Sequence, residues 1–321
     1  MNKFTSAFAP KLISMLEYRT ARGFKTQTHL GNLLRFDKFC AERYPDSAEL
    51  TAEIVYDWLD TETVLNPRML NGRASTIRQL GLYFSAVDEK AFVLTEKFCT
   101  NRSRNIPYNF TDAELTALFS AIDKLPASRA EPFFNEIAPV LFRLTYTCGL
   151  RPNEVRELLS ENVDIKSGRV TITNTKKHKD RIVVMSDDMQ KLCRQYSPKR
   201  AIFAGSNPYF FPSKSGGAFR SEHLQAALTK AWITAVCSKD CPFPPRIRVY
   251  DLRHRMASAC LNNWLDEGKD LMSMLPYLRA YMGHTSLNET AYYIHILPEN
   301  LLKSPAVNWD AFNSMFPEVN A

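Results

Sequence analysis

Residues 162–185 read NVDIKSGRVTITNTKKHKDRIVVM, the one stretch with convincing two-residue alternation. Val163 and Ile165 precede a Ser167-Gly168 turn, and Val170 and Ile172 then alternate with threonines. After the basic segment Thr175–Asp180 comes Ile182-Val183-Val184. Alternation of this kind, punctuated by turn residues, predicts a small antiparallel meander. On either side of it the apolar spacing is helical. The fold class is therefore mainly α with a small antiparallel β-meander (α+β).

Upstream, the first hundred residues look helical throughout. Phe8, Leu12, Met15 and Leu16 recur at helical spacing, and Gly23 stands where such a helix would end. A second helix begins after Thr26, a third near Thr51, and a fourth carries Ile77, Leu80, Phe84 and Val87. Four amphipathic helices can bury one another's apolar stripes as a bundle, so 1–100 reads as one domain. Residues 101–110 are polar, basic and interrupted by Pro107, which suggests a linker. Thr111 and Glu114 then form a capping-box pattern that opens a second domain, taken to run over 111–303. In it, helices are expected at 133–148 and at about 221–237, 252–265, 271–282 and 287–296. The final stretch, 304–321, carries Trp309, Phe312, Met315 and Phe316 at helical spacing.

Composition removes several function classes. Hydrophobic residues at 45% and charged residues at 23% are ordinary globular usage, which excludes wholesale disorder. No run of about eighteen apolar residues occurs, which excludes a helical membrane span. Pro10 and Lys11 break the early apolar stretch, so no secretory signal is read there. The seven cysteines are odd in number and scattered, the pattern of reduced thiols in a cytosolic protein. Cys237 and Cys241 lie near His254 and Cys260 in sequence, but without a second paired motif of zinc-ligand spacing. The 41 Lys and Arg exceed the 34 Asp and Glu by seven. That surplus fits a polyanionic partner without establishing one.

Four separated segments can carry chemistry: Gly149-Leu150-Arg151-Pro152-Asn153-Glu154, Thr175-Lys176-Lys177, Tyr250-Asp251-Leu252-Arg253-His254, and Gly283-His284 followed by Tyr293. Arg151 precedes Pro152, a residue favoured in the first helical turn, and Asp251 reads as an N-cap that puts Arg253 in a first turn too. An arginine at a helix N-terminus is poorly placed until an anion arrives. A phosphate reverses the penalty, because backbone N–H groups and a guanidinium fork then address the same oxygens. Taken alone, the commoner outcome of such spacing is two surface ion pairs, Arg151 with Glu154 and Arg253 with Asp251. His284 and Tyr293 are nine residues apart, which on one continuous helix would turn them to opposite faces. Gly283 can end one helix and Ser286 can cap the next, so both side chains can enter one cleft. Alone, Tyr293 would more often be a core aromatic, His284 a packing residue, and Lys176 and Lys177 solvated turn residues.

In this order and spacing the segments resemble the tyrosine recombinase (phage integrase) family over about 108–300. The family carries an arginine in a GLRxxE segment, a lysine on a β-hairpin, an HxxRH segment, a GH segment and a tyrosine nine residues later. Arg151 with Glu154, Lys176, Arg253 with His254, His284 and Tyr293 match these in turn. One position departs: Tyr250 stands where the family usually has histidine, and a phenol can donate a hydrogen bond but cannot act as an imidazole base. The resemblance implies site-specific recombination of duplex DNA through a 3′-phosphotyrosyl intermediate. In it Tyr293 attacks, Arg151, Arg253 and His284 stabilise charge, and Lys176 serves as general acid with Lys177 second. Glu154 orients the site, and Tyr250 is a weaker member of the set. It also implies a helical core-binding domain, Arg102 and Arg104 near the DNA backbone, and four protomers on two sites, with 304–321 either docking on a neighbour or closing as an intramolecular lid. No cofactor and no metal are expected, and the expected location is cytoplasmic, at the nucleoid of a bacterial host. With the bundle beginning almost at Met1, no extra arm-binding domain is expected, which leaves room for helper DNA-bending proteins. Two rivals stand beside this reading: a type IB topoisomerase-like relaxing enzyme, and a DNA-binding protein whose site has decayed at Tyr250.

Overall fold

The computed structural model describes residues 4–24, 26–61, 67–87, 90–96, 98, 106–173, 180–237 and 243–293, without the side chains of Thr28 and Arg68. The chain forms two compact units, Met1–Asn105 and Ile106–Ala321. Among the described residues no helix is long and apolar enough to cross a membrane.

Among its described residues the first unit holds four helices: α1 (Ala9–Ala21), α2 (Gln27–Arg43), α3 (Ala52–Asp60) and α4 (Pro67–Ala86). Each turns its apolar stripe inward, and Phe8, Phe36, Trp58 and Phe84 are all but fully buried. Phe36 meets Trp58 edge to face at 5.2 Å, the preferred geometry of aromatic quadrupoles. Thr51 caps α3 by accepting the Ile54 N–H at 3.3 Å. The unit is not helical throughout, as its sequence suggests. Ala91 pairs with Leu50 in an isolated parallel bridge, and the extended segment crosses α4 at Gly81. A Cβ on Gly81 would lie 2.5 Å from the Phe92 carbonyl oxygen, so only glycine admits the crossing that seats Leu94 in the core.

The second unit is built from α5 (Asp112–Asp123), α6 (Phe134–Thr147), α7 (Pro152–Arg156), strands β1 (Val163–Asp164), β2 (Arg169–Ile172) and β3 (Arg181–Val184), then α8 (Asp187–Ala204), α9 (Ser221–Val236), α10 (Val249–Asp266), α11 (Leu271–Met282) and α12 (Leu287–Ala291). It starts at Ile106, so 106–110 are not linker: Phe110 is buried, and the rings of Tyr108 and Phe110 each stand edge-on to Trp232. The expected capping box is present, with Thr111 accepting from the Glu114 N–H and Glu114 from the Thr111 N–H. Helix α8 falls where no element was expected. Its inward face is only Met189, Cys193 and Tyr196, and Pro198 sits within it.

The meander is antiparallel in the order β1-β2-β3, with Val170 opposite Val183 and Ile172 opposite Arg181. Directly opposed residues share a face, so Val170, Ile172 and Val183 enter the core while Ile182 and Val184 face out. Arg181 therefore stands on the inward face, a placement that matters for the site. Helix α10 begins one turn earlier than the sequence suggests. Arg248 is its N-cap and Asp251 its third residue, because the Asp251 carboxylate accepts the Arg248 N–H at 2.8 Å and its Nη2 at 2.8 Å. Asp251 is thus not the N-cap, and Arg253 lies in the second turn.

Helix α6 ends at Gly149, whose φ of 59° is left-handed. A Cβ there would come within 2.3 Å of Met256 Cε and 3.2 Å of Met282 Sδ. Backbone strain and crowding act together in Gly149→Ala, which should lose about 1–3 kcal/mol of stability, read as a lower urea midpoint at unchanged slope. An unshifted midpoint would contradict this account of the turn.

Candidate active site

The site is assembled where α6, α7, β3, α10, α11 and α12 converge. Its frame is the C-terminal end of α11. Gly283 ends that helix in the left-handed conformation, φ 64°, and its N–H and that of His284 turn back to the carbonyls of Ala280 and Arg279. The next three carbonyls each take a different arginine. Arg181 Nε donates to Tyr281 O at 2.9 Å, Arg253 Nη2 to Met282 O at 2.6 Å, and Arg151 Nη2 to Gly283 O at 2.8 Å. Cations are favoured there by the helix dipole, and unpaired terminal carbonyls need donors.

Arg253 is fully buried. Besides Met282, its guanidinium donates to the Gly149 carbonyl and reaches His284 Nε2 at 3.0 Å. Burial lowers its pKa. Arg151 is the residue before α7, where its own N–H and Nη1 donate to the two oxygens of Glu154 at 2.8 and 2.7 Å. Burial disfavours its charge, but the hydrogen bond and charge of Glu154 outweigh burial and raise its pKa. Of the two simple ion pairs expected from spacing, Arg151 with Glu154 forms, whereas Asp251 is taken by Arg248 rather than Arg253.

Glu154 is also held at both oxygens by Arg181, at 2.9 and 2.7 Å. Burial favours its protonated form, but Arg181 and Arg151 prevail and hold its pKa down to about 2. Three guanidiniums surround this one carboxylate, since Arg253 Nη1 is 4.0 Å from Glu154 Oε2. A local excess of positive charge is built in.

Tyr293 follows α12 and is 2% exposed. Its ring stacks on His284, centroids 5.9 Å apart at 16°, and tilts against His254 at 5.3 Å. Tyr293 belongs to one buried apolar cluster with Leu275, Leu278 and Met282. Burial pushes the pKa of its phenol up to about 12, while the nearby charges of Arg253 and Arg151 pull it back. Tyr250 lies over His254 at 4.9 Å and beside Arg151. His284 accepts at Nε2, since a guanidinium has no lone pair to offer. Its Nδ1 therefore carries the proton and donates to Thr290 Oγ1 at 2.9 Å. Burial first, then Arg253 and Arg151, lower its pKa to about 4. Burial with Arg248 and Arg253 lowers that of His254 to about 4 as well.

Arg151, Glu154, Tyr250, Arg253, His254, His284 and Tyr293 thus come together. Lys176, Lys177, Arg102, Arg104 and 304–321 lie outside the described residues, as does Cys241. Arg181 and Thr290 are in the site without having been singled out from the sequence. The register of β3 could have revealed Arg181, by placing it on the same face as Val183; no sequence signal marks Thr290. Among the described residues no group of three His, Cys, Asp or Glu side chains is arranged to hold a metal.

Residues 108–300 match the model of the phage integrase family. The chain is similar to y4rE of Sinorhizobium fredii, described as an integrase/recombinase, at 26% identity over 92% of this chain and 93% of that one. It is also similar to the tyrosine recombinase XerD of Haemophilus influenzae, at 24% identity over 89% and 92%. Among solved structures, the XerH site-specific recombinase bound to its difH substrate in a post-cleavage complex superposes with a TM-score of 0.63. That match has 20% identity and covers 88% of this chain and 79% of that one. The fold and the clustered arginines beside a tyrosine define a DNA strand-transfer enzyme. The chain belongs to the phage integrase family, the tyrosine recombinases, and is a site-specific DNA recombinase.

The two histidines set a pH dependence. Each binds a proton near 6.5 when unfolded but near 4 when folded, so between those values the unfolded state holds more protons. Stability is therefore complete above about 6.5 and is lost as pH falls toward about 4. Glu154 extends the loss from about 4.5 toward about 2. Urea unfolding across the first window should show a shallower pH slope in His254→Gln than in the parent; equal slopes would contradict the assignment.

Proposed function

We propose that the chain cuts and rejoins duplex DNA by transesterification, with Tyr293 as nucleophile. The phenolic oxygen attacks the scissile phosphorus in line. Its bond to phosphorus forms as the bond to the 5′ oxygen breaks, the phenol loses its proton, and the departing 5′ oxygen gains one. The products are a 3′-phosphotyrosyl bond and a free 5′-hydroxyl. A 5′-hydroxyl from another strand reverses the step, conserving the bond energy without ATP.

The observation that carries this reading is the ring of Tyr293 stacked on His284, whose Nε2 lies 3.0 Å from the buried Arg253 guanidinium, with Arg151 held on the adjoining carbonyl of the α11 terminus. Arg151 and Arg253 are donors fixed before reaction, the arrangement that stabilises charge gathering on phosphate oxygens most effectively. A phosphate entering beside His284 brings negative charge that raises its pKa, so the imidazole can protonate and donate at Nε2. Tyr250 contributes a phenolic donor next to Arg151. Glu154 orients Arg151 rather than reacting. Lys176, which lies in sequence between β2 and β3, is the proposed acid for the 5′ oxygen, with Lys177 second. No metal or cofactor enters the scheme.

The first unit is proposed as a core-binding domain and the second as a further DNA-binding unit, with Arg102 and Arg104 proposed to contact the DNA backbone. Phosphate contacts then dominate affinity, which should fall steeply with salt. Solved recombinases of this fold bound to DNA, including the Tn1549 transposon integrase with transposon right-end DNA (TM-score 0.61, 14% identity), support duplex DNA as partner. The working assembly is proposed as a tetramer on two sites, with 304–321 docking on a neighbouring protomer, helper DNA-bending proteins assisting, and a cytoplasmic, nucleoid-associated location on a mobile element.

A library of nicked random-sequence duplexes incubated with the protein in EDTA tests the chemistry. Covalent adducts should form with the parent and vanish in Tyr293→Phe; adducts that persist would move the nucleophile, first to Tyr292. On the recovered duplex, Lys176→Met should cleave at least about a hundredfold more slowly. A bridging 5′-phosphorothiolate, whose thiolate departs unprotonated, should restore most of that rate. Failure of this substitution to rescue would remove Lys176 as the acid.

A further inference from the structure

Arg181 is the one arginine of the three on the end of α11 that has no role in the scheme above. It opens β3, and the register that sets it opposite Ile172 turns it into the interior. Its side chain is 8% exposed and Glu154's is 9% exposed, so the pair is largely withdrawn from water. Both Nη atoms engage both oxygens of Glu154, and Nε holds Tyr281 O. The fit is close: a Cβ on Gly283 would lie 3.0 Å from Arg181 Nη1, while the Gly283 carbonyl accepts from Arg151.

One carboxylate cannot neutralise two guanidiniums. With Arg181 paired to both oxygens, Glu154 still fixes the backbone and Nη1 of Arg151 but compensates that residue's charge only in part. Without Arg181, the same carboxylate would be free to turn wholly toward Arg151 and cancel the charge that a phosphate is to meet. We propose that Arg181 is a positioning residue: it takes a share of the charge of Glu154 and ties β3 to the end of α11, so that Arg151 presents a residual positive charge to the scissile phosphate. This rests on the proposed role of Arg151 as a phosphate-binding group.

The probe is inorganic phosphate, titrated into the full-length protein with ring-labelled histidine while the His284 resonance, assigned by its loss in His284→Gln, is followed by NMR. Phosphate should shift His284 in the parent. In Arg181→Met the affinity read from that shift should fall roughly tenfold, the scale of one charge-assisted hydrogen bond, and Arg181→Lys should fall between. Resonances of His29 and His254 that stay in place report that the variant folds. Unchanged affinity in a folded Arg181→Met overturns the proposal. Should that variant not fold, Arg181→Lys decides: weakened binding supports the role, and parental binding overturns it. A parent whose His284 ignores phosphate, while Tyr293-dependent adducts form on DNA, overturns this inference alone. The same silence with no Tyr293-dependent adducts overturns the proposed pocket as well.

Discussion

Three successive carbonyls at the end of α11, those of Tyr281, Met282 and Gly283, each bind a different guanidinium. Everything else in the site follows from that contact. A helix terminus leaves its last carbonyls without partners and concentrates negative partial charge there, so it attracts cations and fixes their direction. Arginines from three distant places in the chain, the start of α7, the start of β3 and the second turn of α10, are drawn to one point. Like charges at this spacing repel, and Glu154 in their midst offsets part of the cost. The remainder is an unfilled demand for an anion.

The same geometry leaves an uncharged tyrosine beside that demand. The Tyr293 phenol is protonated at neutral pH, and burial carries its pKa further up, to about 12, against the pull of Arg253. His284 is neutral, its proton kept on Nδ1 by Thr290. The DNA-free site is thus charged at its arginines and neutral at its proton carriers. In the proposed mechanism an arriving phosphate changes that balance, drawing Arg151 and Arg253 to its oxygens and making protonation of His284 favourable.

Much of this was legible in the sequence, for identifiable reasons. Caps and turns are local chemistry, so the breaks at Gly149 and Gly283 and the cap at Thr111 could be placed from a few residues each. The meander could be read because alternation survives in a short strand. What escaped is non-local. Asp251 looks like a cap until Arg248, three residues earlier, competes for the role. Phe110 looks like linker until Trp232, more than a hundred residues on, packs against it. Arg181 looks like the polar end of a strand, and its partner Glu154 is 27 residues away. Helix α8 hides because so little of it is buried that its stripe is faint.

The most direct measurement is a crystal structure of the Tyr293→Phe protein on its recombination site. The account predicts the scissile phosphate within hydrogen-bonding distance of Arg151 and Arg253, while both keep their contacts to the end of α11. A phosphate bound elsewhere, or guanidiniums that leave those carbonyls to reach it, would contradict a pocket formed in advance of DNA.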